Sequence, residues 1–147
     1  MASRKLTLVG VLLASATVLA TPLMYKGQTV IDIPKPGEPV PLSGLSYKSH
    51  AFEAAITSVK LEPKSDNPPD VLRGRWTFLG SNNDGQMHKV EITTRLLDPS
   101  GKQIAMHSGK CILAAGSHDQ PCVVEIDIKA DDWKSAKSVR IVADFNS

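Results

Sequence analysis

Cysteine is scarce in this sequence: the 147 residues include only two, Cys111 and Cys122. Their spacing is too wide for the CxxC motif of thiol redox enzymes, which argues against that activity. In an oxidising compartment, two such cysteines are expected to form a structural disulfide. The closed loop of about 12 residues would stabilise the fold by roughly 3 kcal/mol. The sequence therefore predicts a disulfide between these two residues.

An excess of basic charge is also missing once the N-terminus is set aside. The chain contains 17 Lys and Arg against 15 Asp and Glu. Residues 1–20 include two of the basic residues, Arg4 and Lys5, and no acidic residue. Subtracting these two leaves 15 basic against 15 acidic residues, so the rest of the chain is formally neutral. Because no basic run remains, we expect binding neither to nucleic acid nor to an anionic membrane surface.

No apolar run has the length of a typical membrane-spanning helix. The apolar segment Leu6–Leu19 has about 14 residues, whereas a spanning helix needs about 20. It follows Arg4 and Lys5 and ends in small residues, which predicts a signal peptide helix over residues 1–20, with Ala16 as a weaker cleavage point. No cysteine lies near the predicted cleavage point, so a lipid-modified N-terminus is not expected. We expect a periplasmic or secreted protein; the alternative is membrane tethering by an uncleaved leader.

Proline is concentrated in residues 21–45. Prolines at this density remove backbone donors and favour extended conformations. Only Gln28–Ile33 has the pattern of a strand, and we expect it at the edge of a sheet. The rest of this arm either wraps the domain or stays mobile as a spacer, and the pattern does not decide between the two. The continuous domain is expected over residues 46–147.

Short alternating segments separated by turn residues dominate residues 46–147. They predict an all-β fold, an antiparallel immunoglobulin-like β-sandwich of about seven strands. The central stretch, Arg73–Ala105, has the pattern of a meander of three consecutive strands, in which Trp76 is the expected core aromatic. A shift in apolar phase at residues 57–58 predicts a β-bulge. A short helical turn capped by an Asp is expected near Trp133.

Residues 94–102, Thr-Arg-Leu-Leu-Asp-Pro-Ser-Gly-Lys, have the pattern of a strand that runs into a turn containing proline and glycine. The segment resembles the signature of bacterial FxLYD-type immunoglobulin-like domains, in which a strand ends in Leu-Tyr-Asp and continues into a glycine-containing hairpin. The matching positions are Leu96, Asp98 and Gly101, and the Phe and Tyr positions are replaced by Thr94 and Leu97. The resemblance extends in pattern over residues 51–145. It implies an extracytoplasmic module with no family catalytic residues.

Two Met-His pairs are the candidates for a metal site, because thioether sulfur and imidazole are copper ligands. The pairs are Met87 with His88 and Met106 with His107. We expect the turn after Leu97 to pair that residue with Lys102. This register places His107 opposite Ile92, four ladder positions from His88, or roughly 14 Å at ~3.4 Å per residue. One ion cannot span this distance, so a copper or zinc site is the weaker hypothesis and no cofactor is predicted.

The other polar candidates favour structure over chemistry. His50 and His118 are isolated in the sequence, and no nucleophile with a neighbouring base accompanies them. Asn82, Asn83 and Asp84 resemble part of a calcium loop, but a single carboxylate is too few for a hard cation, so we interpret them as a turn. We therefore predict that the protein is not an enzyme.

Three arginines, Arg73, Arg75 and Arg95, are predicted to face outwards in a small positive stripe opposite Glu91, with a cross-strand network of ion pairs as the alternative. Together with the loop at residues 82–85, they are the expected contact surface for a partner. The sequence favours an exported, non-enzymatic module that binds another macromolecule or supports a cell-envelope structure. The alternative is a small periplasmic carrier of copper or another small ligand.

Overall fold

The computed structural model describes residues 24–146, so the predicted signal peptide lies outside the described residues. Within this range the chain forms nine β-strands and one short helix. None of the helical structure in residues 24–146 is long and apolar enough to cross a membrane. The elements are β1 (Met24–Asp32), β2 (Val40–Pro41), β3 (Ser46–Ser49), β4 (Phe52–Pro63), β5 (Val71–Asn82), β6 (His88–Leu97), β7 (Gln103–Leu113), β8 (Ser117–Lys129), α1 (Ala130–Ser135) and β9 (Ser138–Asn146).

The strands form two antiparallel sheets. Sheet A has the strand order β1-β9-β6-β7, and sheet B has the order β2-β4-β5-β8, with β3 also paired to β4. The chain crosses between the sheets after β1, β5, β7 and β8, which places β8 beside β5 and β9 beside β6, in an immunoglobulin-like arrangement. Seven of these strands have nine or more residues. The predicted sandwich of about seven antiparallel strands is confirmed.

The predicted meander over Arg73–Ala105 is wrong in its first pairing. β5 belongs to sheet B and β6 to sheet A, so only β6 and β7 are hydrogen-bonded neighbours within this stretch. Alternation of apolar residues shows which side of a strand is buried but does not identify the strand beside it. The connection at residues 83–87 therefore crosses from one sheet to the other and does not close a hairpin.

The N-terminal strand β1 is an edge strand of sheet A, as predicted, and it is longer than expected. It pairs with β9 over nine positions, from Met24 opposite Asn146 to Asp32 opposite Ser138. Pairing with the last strand of the chain fixes both ends of the described sequence to the same sheet. The strand predicted over Gln28–Ile33 thus begins four residues earlier.

The proline-rich arm wraps the domain, which decides between the two predicted alternatives. The amide of Ile33 donates to Lys137 O at 3.1 Å, and the amide of Leu42 donates to Thr57 O at 2.9 Å. Leu45 is fully buried in the core. These contacts carry the chain from the edge of sheet A to the edge of sheet B and cover one open side of the sandwich.

The core lies between the two sheets and consists of the inward residues of their strands. Alternating burial is confirmed on β5, β6, β8 and β9. Phe52 is an exception to the predicted pattern on β4, because it is the first residue of that strand and remains 46% exposed. The largest fully buried side chains are Trp76, Phe78, Phe145, Leu45, Ile56, Leu61, Ile92, Leu96, Leu113, Ile141, Val59 and Val90.

Two local predictions are confirmed, and one detail of the second is wrong. The register between β4 and β5 shifts between Ile56 and Ser58, where the β-bulge was predicted. The helical turn near Trp133 is α1, and Trp133 packs half-buried against the core. The N-cap of α1 is Lys129, with no side-chain capping hydrogen bond, because the two aspartates lie inside the first turn.

Trp76 gives a stability test of the core. Its side chain is fully buried, and its indole Nε1 has no hydrogen-bond partner. Replacement with alanine should lower the free energy of unfolding by about 3–5 kcal/mol because it leaves a large cavity. Trp76→Phe should cost clearly less, because no hydrogen bond is lost with the indole. Denaturant titration followed by Trp133 fluorescence measures both, and equal losses for the two variants would contradict this account.

Candidate functional site

The two Met-His pairs do not come together. In the β6–β7 ladder His107 lies opposite Thr94, six positions from His88, which corresponds to roughly 20 Å at ~3.4 Å per residue. The predicted pairing of Leu97 with Lys102 is wrong, since Leu97 pairs with Gln103 and the register shifts again between Leu96 and Leu97. The separation is therefore greater than the sequence predicted. No group of three or more His, Cys, Asp or Glu side chains that could hold a metal occurs within residues 24–146.

The turn between β6 and β7 is one residue longer than predicted, and the Asp98 side chain stabilises it. Its Oδ1 accepts hydrogen bonds from the Ser100 amide, the Ser100 hydroxyl and the Lys102 amide, at 2.9, 2.6 and 2.9 Å. The Ser100 hydroxyl, followed by the Lys102 amide, lowers the pKa of the Asp98 carboxyl. Because Asp98 Oδ1 binds the Lys102 amide, Lys102 belongs to the turn, and strand pairing starts at Gln103.

Each histidine of the two pairs has a structural partner. His88 is buried, its Nε2 lies 3.0 Å from Asp84 Oδ2, and its ring centroid lies 5.6 Å from that of Tyr47. His107 places Nε2 3.3 Å from the carbonyl oxygen and 3.4 Å from the amide nitrogen of Asp127 on β8. The two methionines beside them are about half exposed (Met87 53%, Met106 54%).

His50 and His118 are exposed, as predicted. His50 lies in the turn between β3 and β4 with a positive φ of 54°. His118 precedes Asp119, which also has a positive φ, of 51°. The Asp119 amide donates to Ser81 Oγ at 3.3 Å. Neither histidine has a hydrogen bond or ion pair to a side chain among the described residues.

The predicted disulfide between Cys111 and Cys122 is formed, and it joins the edge strands of the two sheets. We call the boundary between β7 and β8 the seam. His107 caps the backbone of β8 at one end of the seam. At the other end the Gln120 side chain accepts from the Ala114 amide at 3.0 Å and donates to Ile112 O. These side chains bind backbone groups that an open sheet edge would leave unpaired.

The strands approach so closely at the seam that one position requires glycine. A Cβ added to Gly109 would lie 2.5 Å from Val123 O, which is backbone and cannot move independently. The close approach places β7 and β8 at a distance that the disulfide can span. The disulfide therefore reinforces a boundary that side chains and backbone packing already define.

Removing the disulfide tests its role. The double substitution Cys111→Ala and Cys122→Ala should lower the free energy of unfolding by roughly 3 kcal/mol, because the unfolded chain regains the freedom of the closed loop. Denaturant unfolding of variant and parent measures the loss. Thiol titration of the denatured, exported parent should find no reactive cysteine. Two titratable thiols would show that the bond does not form.

The loop predicted as an exposed contact surface is largely committed to internal hydrogen bonds. Asn82 is fully buried, which corrects its prediction as a surface residue. Its Nδ2 donates to the carbonyls of Gln86 at 2.8 Å and Leu113 at 3.1 Å, and lies 3.3 Å from Ala114 O. Its Oδ1 accepts from the Asp84 amide at 2.9 Å. A single amide thus binds two of the connections that cross between the sheets, β5–β6 and β7–β8.

The neighbouring loop residues have similar roles. Asn83 Oδ1 accepts from the Glu53 amide at 2.6 Å, which joins the loop to the start of β4. Asp84 binds His88 through its carboxylate and accepts from the Gly116 amide through its carbonyl at 3.1 Å. This geometry agrees with a turn and uses the oxygens that a calcium ion would need.

Replacing the buried amide should be costly. Asn82→Ala should lower the free energy of unfolding by about 1–3 kcal/mol, because the Leu113 carbonyl loses a donor inside the protein. Asn83→Ala is the matched control: it removes one exposed hydrogen bond and should cost at most about 1 kcal/mol. Thermal unfolding of both variants compares them, and equal effects would exclude a special role for Asn82.

The three predicted surface arginines do not share a face. Arg73 and Arg75 lie on the outer face of sheet B, whereas Arg95 lies on the outer face of sheet A. The predicted stripe is therefore not formed: Arg73 and Arg75 lie on β5 in sheet B, and Arg95 lies on β6 in sheet A. Arg73 Nε lies 3.4 Å from Asp127 Oδ2, and an Arg75 guanidinium nitrogen lies 3.7 Å from Glu62.

The charges on sheet B thus match the ion-pair alternative. Glu62 binds three groups: its Oε1 accepts from the Thr77 hydroxyl at 2.7 Å, and Lys60 and Arg75 lie within 3.8 Å. The Thr77 hydrogen bond, followed by the charges of Lys60 and Arg75, lowers the pKa of the Glu62 carboxyl. At exposed positions such pairs contribute little stability. They nevertheless place a carboxylate beside Lys60, Arg73 and Arg75.

Two arginines lie side by side on the outer face of sheet A. Arg95 on β6 lies directly opposite Arg140 on β9, with Met106 on the far side of Arg95 and Val30 on the far side of Arg140. We call these four cross-strand neighbours the arginine row. Among residues 24–146, neither arginine lies within ion-pair distance of a carboxylate. Arg95 Nε is also buried without an acceptor.

The outer face of sheet A also carries two ion pairs and several exposed apolar side chains. Lys26 lies 3.7 Å from Asp144, and Lys110 lies 3.7 Å from Glu91. The exposed apolar side chains on this face are Val30 (53%), Met106 (54%) and Ile112 (48%). A groove of about 390 Å³ opens at its end, lined by Lys89, Val90, Glu91, Lys110, Cys111, Ile112 and Asn146.

Sequence reasoning missed the partner of Arg95 because the two arginines are 45 positions apart and belong to non-consecutive strands. Arg140 does stand on the outward side of the alternating pattern of β9, so a correct pairing of β6 with β9 would have identified it.

Fold and surface together define a two-sheet β-sandwich that carries an unneutralised arginine pair on one outer face. No protein-family model matches the chain, and no curated protein matches it. The resemblance to FxLYD-type domains therefore stays a prediction.

Proposed function

We propose that this protein is an exported, non-enzymatic binding module that contacts another macromolecule of the cell envelope through the outer face of sheet A. The observation behind the proposal is the arginine row, in which Arg95 and Arg140 stand side by side between Val30 and Met106.

The composition of the row is that of a protein contact surface. Arginine and methionine are enriched in protein interfaces, and arginine is among the residues that contribute most to binding. Val30 and Met106 are each more than half exposed, so apolar surface flanks the two charges. A partner that covers the row would bury this apolar surface and bind the two guanidinium groups.

Export is supported by the leader pattern and the disulfide. Disulfides form and persist in oxidising compartments such as the periplasm and the extracellular space. The Cys111–Cys122 bond at the seam fits a protein that folds there. The copper-carrier hypothesis loses its basis, because the register separates the two Met-His pairs and each histidine binds groups of the protein itself.

Site-specific photo-crosslinking in the source cells tests the proposal. A photoreactive phenylalanine analogue at Thr93, in the centre of the outer face of sheet A, should give a discrete adduct with one envelope component. The same analogue at Val123, an exposed position on the outer face of sheet B, is the matched control and should give none.

The adduct from Thr93 should decrease at least tenfold when Met106 is replaced by Asp, because a charge at that position opposes burial of the row. The proposal fails if position 93 gives no adduct, or if position 123 gives the same one.

A further inference from the structure

We propose that Arg95 and Arg140 together bind one carboxylate group of a partner protein. This inference rests on the proposed function, because it assigns the chemistry of the contact made by the outer face of sheet A.

The register places the two arginines directly opposite each other on the outer face of sheet A. Residues directly opposite each other in an antiparallel pair have Cβ atoms about 4.5–5.5 Å apart, and Arg95 and Arg140 are such a pair. Each guanidinium offers a planar fork of N–H donors that matches the two oxygens of a carboxylate. Two forks side by side provide more donors than one carboxylate needs, so a single group can be held from both sides.

The pair is unusual within its own face. Like charges directly opposite each other destabilise a sheet. Glu91 and Asp144 are also directly opposite each other, but each has a lysine within ion-pair distance, Lys110 and Lys26 respectively, whereas neither arginine has a carboxylate within that distance among the described residues. An anion between the arginines would remove the repulsion.

Arg95 has a second unmet requirement. Its Nε is buried and donates to no acceptor among the described residues. A buried donor without an acceptor is costly, and most such groups in folded proteins are paired. Because this Nε is covered, a carboxylate seated on the row would bind the terminal guanidinium nitrogens, and the Nε would gain an acceptor when the side chain turns outwards to meet it.

The surroundings favour a protein carboxylate over a phosphate-rich polymer. Val30 and Met106 flank the arginines with apolar surface, which suits the side chains next to an acidic residue. The next row on one side is uncharged, and Asp144 and Glu91 stand in the row beyond it. On the other side Asp32 lies one row away. A chain of closely spaced phosphates would meet the Asp32 carboxylate on one side and, on the other, two carboxylates that Lys26 and Lys110 already neutralise, so it would find no further cations to bind.

Titration with small anions tests the site on the exported protein. Glutarate, inorganic phosphate and chloride are added at equal ionic strength while the Nε–Hε NMR signal of Arg95 and the Tm are recorded. Glutarate should shift the Arg95 signal saturably and raise the Tm by about 3–6 °C at ten times its Kd. Phosphate should bind more weakly, and chloride should give no saturable shift.

Variants separate binding from structure. Arg140→Gln should weaken glutarate binding at least tenfold while leaving the Tm unchanged or raising it by about 1–3 °C, because the like-charge contact is gone. If Arg140 had a purely structural role, its replacement would lower the Tm. Lys60→Gln, which removes one positive charge from the outer face of sheet B, is the matched control and should not alter glutarate binding.

The outcomes distinguish this inference from the proposed function. No saturable shift of the Arg95 signal, or the same affinity in Arg140→Gln, would overturn the carboxylate site even if the Thr93 adduct forms. Tighter binding of phosphate than of glutarate would overturn it in favour of a phosphoryl group. Saturable glutarate binding without any Thr93 adduct would support the anion site and contradict the proposed function.

Discussion

The buried side-chain amide of Asn82 is the interaction on which the two-sheet arrangement depends. The chain leaves sheet B after β5 and after β8, and it leaves sheet A after β1 and after β7. The connections after β5 and β7 lie at the same end of the sandwich. Asn82 binds the backbone of both: Gln86 in the first connection and Leu113 at the start of the second. Because the amide is fully buried, these hydrogen bonds replace water that the site excludes. A hairpin at this point would leave the amide without these partners.

Both open sides of the sandwich are closed, by different means. On one side the proline-rich arm carries the chain from β1 across to β4, and Leu45 enters the core. On the other side the seam is closed by the disulfide, by the side chains of His107 and Gln120, and by the close approach at Gly109. Exposed sheet edges invite pairing with other chains. With both sides covered, the outer faces remain as the broad surfaces for contact.

The two outer faces differ in how their charges are satisfied. On sheet B, Arg73 and Arg75 each have a carboxylate partner, and Glu62 binds three groups at once. On sheet A, Arg95 and Arg140 lie directly opposite each other, and neither has a carboxylate within ion-pair distance among the described residues. The formal neutrality of residues 21–147 therefore hides a local imbalance. The distribution of charge between faces, more than its total, supports the proposed contact surface.

The sequence by itself determined most of the apolar residues that are buried, because alternation along each strand is a local property; Phe52 and Asn82 are the exceptions. Trp76, the bulge after Ile56, the disulfide and the short helix near Trp133 all follow from local pattern and were predicted. Even the separation of the two Met-His pairs was inferred, although the exact register was not.

Only the tertiary structure decided which strands are neighbours. That choice separated Arg95 from Arg73 and Arg75, paired it with Arg140, and turned Asn82 from a surface candidate into a buried link. The physical reason is that the period of a strand reports its two faces, whereas sheet pairing depends on long-range packing and on where buried polar groups find partners.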